Sequence, residues 1–419
     1  MPFASLGLSP AIAHAARESG FLTPTPIQSA AIPAILKGGD VLASAQTGSG
    51  KTAAFVLPLL HQLLTTPATM PRRVRALVLV PTRELAAQVG ETLRALCEFI
   101  DTPVKTVIAF GGISINPQML RLRGGADIVV ATPGRLLDLL DHNALSLSDV
   151  STLVLDEADR LLDLGFADEL NRIIALLPAH KQNLFFSATF PAQVEALAQT
   201  MLQQPARIEL PSQQANAALI EQRAIEVDSN KRTALLKHLV QQHRWPQVLV
   251  FVATKNAAEN LADKLYRAGL NATPFHGELS QGRREQVLAD FKAARWQIVI
   301  ATDVAARGID IAQLPAVVNY DLPRSPVDYV HRIGRTGRAG ETGVAISFIS
   351  AATEAHFRLI ENRQQRRVPR ERIDGFEPLE TAAPAATLTD PDGTGGIKGK
   401  RKSKKDKLRE AAARDGEQS

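Results

Sequence analysis

Three groups of residues have the types and spacings needed to act on a nucleoside triphosphate. The first is the glycine-rich segment 45–52, A-Q-T-G-S-G-K-T. Its backbone N–H groups and the Lys51 ammonium can bind phosphates, and the Thr52 hydroxyl can ligate Mg²⁺. Ala45 stands where such a loop usually has its first glycine. The apolar run 41–43 before the segment and the helical pattern 53–60 after it supply the strand–turn–helix context that a phosphate loop requires.

The second group is the acidic segment Asp156-Glu157-Ala158-Asp159, which directly follows the apolar run 153–155. A carboxylate at a strand end is suited to hold a metal ion, which is the role predicted for Asp156. Glu157 beside it has the chemistry to orient or deprotonate an attacking water. Taken alone, the segment is more typical of a surface loop.

The third group is the basic segment 331–338, H-R-I-G-R-T-G-R, far along the chain. Arg335 and Arg338 stand among glycines, whose small size permits close approach to phosphate. An arginine supplied across a cleft contributes about 10³ to 10⁵ in rate to phosphoryl transfer. Without a second domain that closes on the first, the same segment is a solvated basic turn.

The elements that must position these groups form two series of short apolar runs separated by helical patterns. This alternation indicates parallel sheets covered by helices on both faces. The predicted strands are 76–80, 104–110, 127–131, 153–155 and 183–187 in the first series, and 248–252, 272–275, 297–301, 316–320 and 344–349 in the second. Helices are predicted over 256–268, 283–293 and 351–367, and the segment 205–221, which lacks apolar periodicity, is predicted as a linker.

Composition favours two domains in a reducing compartment. The chain has 419 residues, of which 45% are hydrophobic, enough for two separate cores. Its single cysteine, Cys97, excludes an intrachain disulfide and a cysteine-based metal cluster. The start M-P-F-A-S does not have the pattern of a secretory leader, and no apolar run approaches the roughly 20 residues that span a bilayer. We therefore expect a cytoplasmic protein without a membrane partner.

Positive charge is concentrated near the end of the chain. The net charge is +5, and the segment 398–409 holds eight Lys and Arg residues against one acid, Asp406. This density is suited to a polyanion such as RNA, although a solubilising tail would have the same composition. After Phe376 the sequence turns to Ala, Pro, Thr, Gly and Lys, so we expect this end to be disordered.

Further short segments complete a recognisable set: G-F-L-T-P-T-P-I-Q at 20–28, P-T-R-E-L-A at 81–86, G-G at 111–112, T-P-G-R at 132–135, S-A-T at 187–189, H-G with Gln281 and Arg284 from 276, A-T-D at 301–303 and A-R-G-I-D at 306–310. With the three groups above, they make residues 3–350 resemble the DEAD-box RNA helicases, most closely the bacterial RhlE-type branch. The resemblance implies an α/β fold of two tandem RecA-like parallel-sheet domains, 1–207 and 222–375, with a flexible linker 208–221 and a disordered basic tail 376–419.

The same resemblance implies roles for individual residues, with ATP and Mg²⁺ as cofactors and RNA as the partner. Gln28 would hydrogen-bond adenine, whose edge an amide complements, and Phe3 would stack near it. Catalytic roles fall to Lys51, Asp156, Glu157, Arg335 and Arg338, and Mg²⁺ would be held by Thr52 and Asp156, partly through water. ATP would be bound by Phe3, Thr25, Gln28, Gln46, Thr47, Gly48, Ser49, Gly50, Lys51, Thr52, Gly308, Asp310, Arg335 and Arg338. RNA would be bound by Pro81, Thr82, Arg83, Gly111, Gly112, Thr132, Pro133, Gly134, Arg135, Arg284 and Thr302. Ser187, Thr189, Asp159 and His331 would couple the ATP state to RNA.

The activity implied is RNA-dependent ATP hydrolysis with local unwinding of short duplexes or remodelling of RNA–protein complexes. Hydroxyls and helix N-termini contact phosphates and 2′-OH groups rather than base edges, so the core should bind RNA without regard to sequence. Two alternatives stay open: an ATP-dependent RNA clamp, separated by a strand-release assay, and a DNA translocase or phosphate-loop kinase, separated by 2′-OH competition and adenine selectivity. Proteins of ribosome assembly or RNA decay are compatible partners.

Overall fold

Two seven-stranded, all-parallel sheets organise the computed structural model, which describes residues 2–45, 49–66, 70–209, 220–306, 314–337 and 342–379. The strands are β1 (Val41–Ser44), β2 (Ala76–Leu79), β3 (Thr106–Ala109), β4 (Ile128–Ala131), β5 (Thr152–Asp156), β6 (Gln182–Ser187) and β7 (Ala206–Glu209) in the first sheet. The second contains β8 (Ile220–Glu226), β9 (Val248–Val252), β10 (Ala272–Phe275), β11 (Ile298–Thr302), β12 (Ala316–Asn319), β13 (Gly343–Ile349) and β14 (Arg370–Glu371).

Helices alternate with these strands, as parallel connections require. In the first domain they are α1 (Pro10–Glu18), α2 (Pro26–Leu36), α3 (Lys51–Thr65), α4 (Arg83–Cys97), α5 (Asn116–Leu122), α6 (Pro133–Asp141), α7 (Ala158–Asp163), α8 (Ala167–Ala175) and α9 (Ala192–Met201). In the second they are α10 (Arg232–His243), α11 (Lys255–Arg267), α12 (Gln281–Lys292), α13 (Asp303–Ala306), α14 (Pro326–Ile333) and α15 (Glu354–Gln364). No helix of the described residues is both long and apolar enough to cross a bilayer.

The two sheets repeat one topology. The strand order is β3-β4-β2-β5-β6-β1-β7 in the first and β10-β11-β9-β12-β13-β8-β14 in the second. Each strand number in the second order is the corresponding number in the first plus seven, so the same winding occurs twice along the chain. Helices cover both faces of each sheet, which is why central strands such as Val248–Val252 are apolar at every position.

The predicted strands are confirmed in place, with ends that differ by no more than two residues. The domain boundaries differ slightly from the prediction. Strand β7 extends to Glu209 and β8 begins at Ile220, so the first two and last two residues of the predicted linker 208–221 belong to strands. Residues 210–219 lie outside the described part of the chain. The last helix is shorter than predicted, Glu354–Gln364.

The predicted tail also begins too early. The Phe376 ring lies 5.4 Å from the His238 ring, and the Leu379 amide donates a hydrogen bond of 2.9 Å to Asp228 Oδ2. Residues 376–379 therefore pack on the second domain, and the predicted disordered segment that remains, 380–419, lies outside the described residues.

Candidate nucleotide and RNA site

Most of the predicted site residues lie where strands end, on the carboxyl edges of the two sheets. In the first sheet, the segments that follow β1, β5 and β6 hold the phosphate loop, the acidic segment and the S-A-T segment, and these strands are neighbours in the order β5-β6-β1; Phe3, Thr25 and Gln28 precede β1. The segments that follow β2, β3 and β4 hold the predicted RNA residues, and they are neighbours in the order β3-β4-β2. One sheet edge is thus divided into two adjacent halves.

The phosphate loop joins β1 to α3, and Lys51 near its end is buried. Lys51 has 6% of its surface exposed, and its Nζ donates a 2.8 Å hydrogen bond to the Ala45 carbonyl. Ser49 Oγ is buried and has no hydrogen-bond partner among the described residues, so its hydrogen-bonding capacity is available to a phosphate. Gln46, Thr47 and Gly48, also predicted to bind phosphate, lie outside the described residues.

Gly50 is required where the loop meets α2. Its φ is +94°, and a Cβ built there would lie 2.5 Å from Gln28 Nε2 and 2.9 Å from Thr25 Oγ1. Gln28 Nε2 donates to the Gly50 carbonyl at 3.1 Å, and Gln28 Oε1 accepts from the Thr25 amide at 2.9 Å. The Gln28 Nε2 and Oε1 atoms can each make one further hydrogen bond, which is what adenine recognition requires. Adenine recognition by Gln28 stays a prediction. Phe3 is buried in the core of the first domain at 4% exposure, and its stacking on adenine also stays a prediction.

The carboxylate of Asp156 is buried at the end of β5. Burial raises the pKa of Asp156 from 3.8 to about 7; Lys51 opposes this and Glu157 adds to it. Its Oδ1 accepts a 2.9 Å hydrogen bond from the Glu157 amide. Ionising such a group is costly unless a cation is near, so the site fits Mg²⁺. The described residues hold no group of three or more His, Cys, Asp or Glu that could bind a metal, so Mg²⁺ binding by Thr52 and Asp156 stays a prediction.

Glu157 occupies a strained backbone conformation. Its φ of +51° and ψ of 52° lie in the left-handed region, which costs a residue with a Cβ about 1–2 kcal/mol. Within the described part of the chain the Oε2 atom is buried and has no hydrogen-bond partner, although Arg160 Nε lies 3.5 Å away. Strain of this kind concentrates at functional sites, and a carboxylate oxygen with unused lone pairs is what water activation requires.

Asp159 connects the acidic segment to the S-A-T segment after β6. Its Oδ2 accepts hydrogen bonds from the Thr189 amide at 3.0 Å and the Thr189 hydroxyl at 2.8 Å. The Ser187 hydroxyl accepts from the Asp159 amide at 3.3 Å and donates to the Thr189 carbonyl at 2.7 Å. Three of the four predicted coupling residues therefore form one network.

The fourth predicted coupling residue, His331, comes from the second domain and lies near Asp159 and Arg160 of the first. Its pKa is lowered to about 3, chiefly by burial and then by the charge of Arg160; Arg335 adds to this effect, and Asp159 opposes it. Arg335 itself is 5% exposed. The neutral imidazole can donate or accept a hydrogen bond where the two domains meet. Arg338, Gly308 and Asp310 lie outside the described residues.

Sequence reasoning did not identify Arg332 as the residue that anchors this part of the second domain. Its Nε and Nη2 donate to the two carboxylate oxygens of Asp303 at 2.6 and 2.7 Å, and Nη1 donates to Asn319 Oδ1 at 3.0 Å. The guanidinium also lies 4.8 Å from the centre of the Phe251 ring. This fork geometry fixes α14, and with it His331, relative to the ends of β11 and β12. The one available signal was the position of Asp303 directly after an apolar strand.

The predicted RNA residues of the first domain form helix starts and close turns. Thr82 caps α4, since its Oγ1 accepts from the Leu85 amide at 3.3 Å. Gly112 has φ +78°, and the Arg83 guanidinium occupies the space that a side chain there would need. Arg135 Nη2 donates to the Ile113 carbonyl at 2.8 Å, which joins the start of α6 to the Gly111-Gly112 turn. The predicted RNA residues of the first domain lie in the segments that follow three neighbouring strands: Pro81, Thr82 and Arg83 after β2; Gly111 and Gly112 after β3; and Thr132, Pro133, Gly134 and Arg135 after β4.

In the second domain, Thr302 is the last residue of β11, and Arg284 lies in the first turn of α12. Arg284 Nη2 forms an ion pair of 3.0 Å with Glu84 of α4, and both side chains are less than 10% exposed. Burial lowers the pKa of Arg284, and Glu84 opposes that effect. The residue predicted to bind RNA therefore also connects the two domains directly.

Comparison with protein-family models gives two matches. Residues 25–197 match the DEAD/DEAH box helicase model, and residues 230–340 match the helicase conserved C-terminal domain. The chain is 40% identical over 366 residues to the ATP-dependent RNA helicase CshA of Listeria monocytogenes, which covers 87% of this chain and 69% of that protein. It is 42% identical over 362 residues to the ATP-dependent RNA helicase DeaD of Buchnera aphidicola, covering 86% of this chain and 59% of that one.

Solved structures show the same fold. S. cerevisiae Dbp5 bound to RNA and ADP BeF3 is 33% identical with a TM-score of 0.78, covering 88% of this chain and 95% of that chain. Mss116p bound to ssRNA and AMP-PNP is 28% identical with a TM-score of 0.79, covering 89% and 80%. A Dbp5 variant bound to Nup159, Gle1, IP6 and ADP has a TM-score of 0.60 at 30% identity, covering 88% and 96%.

Proposed function

This chain belongs to the DEAD-box helicase family, and we propose that it is an RNA-dependent ATPase that uses ATP to unwind short RNA duplexes. The observation that carries the proposal is the hydrogen-bonded network of Asp159, Thr189 and Ser187, because the charge of Asp159 also raises the pKa of His331 in the other domain. Through this electrostatic interaction the nucleotide half of one sheet edge can respond to the position of the second domain. The RNA residues occupy the adjoining half of the same edge.

The first domain holds the nucleotide. Lys51, released from the Ala45 carbonyl, binds the β and γ phosphates, and Glu157 orients the attacking water with its unpaired Oε2. Thr52 and Asp156 would hold Mg²⁺, which neutralises charge on the phosphate oxygens. Gln28 selects adenine, with Phe3 and Thr25 at the same end of the site.

The second domain completes the site. Arg335 and Arg338 bind the transferring phosphoryl group, while Gly308 and Asp310 contact the nucleotide from the same side. RNA lies across Arg83, Gly112 and Arg135 of the first domain and across Arg284 and Thr302 of the second. Closing both domains on a continuous strand bends it and separates a short duplex. Loss of the γ-phosphate then removes what the arginines hold, and the domains part.

Likeness to RNA-bound relatives supports this closing model. The TM-score is 0.78 with Dbp5 bound to RNA and ADP BeF3, and 0.60 with the Dbp5 variant bound to Gle1 and ADP. The buried pair between Glu84 and Arg284 also joins the two domains in this structure. Both observations fit an arrangement in which the two halves of the site face each other.

Steady-state ATPase and strand-release assays test the proposal. ATP turnover should rise with RNA, GTP should work poorly, and Lys51→Ala and Glu157→Gln should abolish turnover. An exposed-site variant, Glu91→Gln, is the matched control for the acidic change. Turnover within a few-fold of wild type in either active-site variant, or equal turnover with GTP, would contradict the assignments. Stable RNA binding without release of a duplex strand would favour the alternative function, an ATP-dependent RNA clamp.

The finer assignment is part of the same proposal. We place the chain in the RhlE-type branch on the motifs quoted above; the relatives named CshA and DeaD share the helicase core with it. A cytoplasmic location follows from the single cysteine and from bacterial RNA helicases as relatives. Proteins of ribosome assembly or RNA decay are the proposed partners, and crosslinking with sequencing of the bound RNA would identify the substrate.

A further inference from the structure

Arg160, next to the acidic segment, is a buried cation to which neither the sequence nor the proposed mechanism assigns a role. It lies in α7 with 3% of its surface exposed, and its Nη1 and Nη2 have no hydrogen-bond partner among the residues that the structure describes. Unpaired buried guanidinium nitrogens are rare, because their desolvation is costly. A structural arginine would have its donors satisfied, as Arg332 does with Asp303 and Asn319. This contrast within one site points to a function for Arg160.

The position of Arg160 relative to Glu157 suggests that function. Its Nε lies 3.5 Å from Glu157 Oε2, and their side chains are 4% and 6% exposed. This is the carboxylate oxygen that has no hydrogen bond. The arginine therefore attracts the oxygen without occupying its lone pairs, so the carboxylate is held in one place and can still accept a proton from water.

The second domain comes close to Arg160 at His331. The charge of Arg160 is the largest cause after burial of the low pKa of His331, so the guanidinium and the imidazole are close. Three other charges affect the pKa of His331: Asp159 of the first domain and Asp328 of its own helix raise it, and Arg335 of the second domain lowers it. When the domains separate, water reaches Arg160 and weakens its attraction for Glu157.

We propose that Arg160 is a positioning residue that fixes the Glu157 carboxylate for water activation, and does so fully only when the second domain covers it. The inference rests on the proposed function, since it assumes that Glu157 acts on water. It assigns Arg160 no contact with ATP or RNA. Its loss should therefore lower kcat and leave the KM for ATP and the RNA concentration at half-maximal rate nearly unchanged.

Three variants test the proposal in the full chain. Arg160→Met keeps the length of the side chain and removes the charge, Arg160→Lys keeps the charge, and Arg172→Met is the control at an exposed arginine of α8. We expect kcat to fall by about 10- to 100-fold in Arg160→Met, the range for residues that orient active-site ligands. The kcat of Arg160→Lys should be at least tenfold higher than that of Arg160→Met, and the kcat of the control should match wild type.

A double-variant comparison separates positioning from a purely structural effect. If Arg160 acts through Glu157, adding Arg160→Met to Glu157→Gln should change the residual single-turnover rate by less than twofold. Additive losses, a kcat of Arg160→Met within twofold of wild type, or equal losses in the Met and Lys variants at wild-type melting temperature would each overturn the proposal. If Arg160→Met does not fold, Arg160→Gln replaces it with the same expectations. Wild type and Glu157→Gln alone, measured alongside, report on the proposed function independently.

Discussion

The buried ion pair between Glu84 and Arg284 allows a quantitative prediction for domain closure. Glu84→Gln keeps the size of the side chain but leaves the Arg284 charge without its partner 3.0 Å away. Removing one member of a buried pair costs about 3–5 kcal/mol. Arg284 regains water when the domains part, so the cost falls on the closed form alone. Because the substituted glutamine would still offer an amide oxygen, we take the lower end, about 3 kcal/mol.

At about 1.4 kcal/mol per factor of ten, that cost shifts the closing equilibrium by about 10²-fold. The RNA concentration at half-maximal ATPase rate should rise by about this factor, and so should the Kd for RNA measured with AMP-PNP. Turnover at saturating RNA should change much less, since Glu84 does not touch the nucleotide. The control is Glu91→Gln, an exposed glutamate two turns further along α4. RNA binding by Glu84→Gln within twofold of that control would refute the role of the pair.

Three further predictions concern the arginines, the tail and the acidic segment. Arg335→Ala and Arg338→Ala should each lower kcat by on the order of 10³ while nucleotide affinity stays within a few-fold, and an unchanged kcat in both would contradict the assignment. Deleting the residues after Leu379 should weaken RNA binding without altering turnover at saturating RNA. The slope of log binding constant against log salt concentration should become shallower by about 0.7 for each phosphate that the tail no longer neutralises. An unchanged affinity and slope would mean that the tail does not bind RNA. The pKa of Asp156 is raised from 3.8 to about 7, so the folded protein binds an extra proton between these values. Without Mg²⁺ or nucleotide, stability should therefore fall as pH rises from about 4 to 7, and melting curves of Asp156→Asn should lack this loss; equal pH slopes would count against it.

Strands that are buried on both sides could be predicted from the sequence, and edge strands could not. Val248–Val252 is apolar at every position because helices cover both faces of its sheet. In β7, by contrast, the residues Ala206–Glu209 are mostly exposed and include two charges, so no apolar pattern marks the strand. Its pairing with β1 is set by the tertiary structure. The same holds for the two-residue edge strand β14, whose charged Glu371 pairs with Arg223 of β8.

The candidate site was predicted to the extent that its residues lie in contiguous motifs. Backbone chemistry explains why: a phosphate loop or a helix cap is determined by a few adjacent residues. Pairs that depend on the folded chain could not be predicted. Glu84 and Arg284 are 200 residues apart, and Arg332 meets Asp303 only because β11 and β12 both border β9. The role proposed for Arg160 likewise depends on burial, which the residue type alone does not reveal.

The repeated strand order has a consequence for how the rate depends on protein concentration. The two domains repeat one topology, and in the proposed function they complete one site across an asymmetric contact. They would then resemble neighbouring subunits of a heterologous oligomer, except that both belong to one chain. The ten residues between Glu209 and Ile220 replace subunit association by an intramolecular encounter. Short connections give effective concentrations in the millimolar range, roughly a thousandfold above a typical micromolar enzyme concentration. Turnover per molecule should therefore not change on dilution, and only nucleotide and RNA, rather than a second protein copy, determine how often the site is assembled.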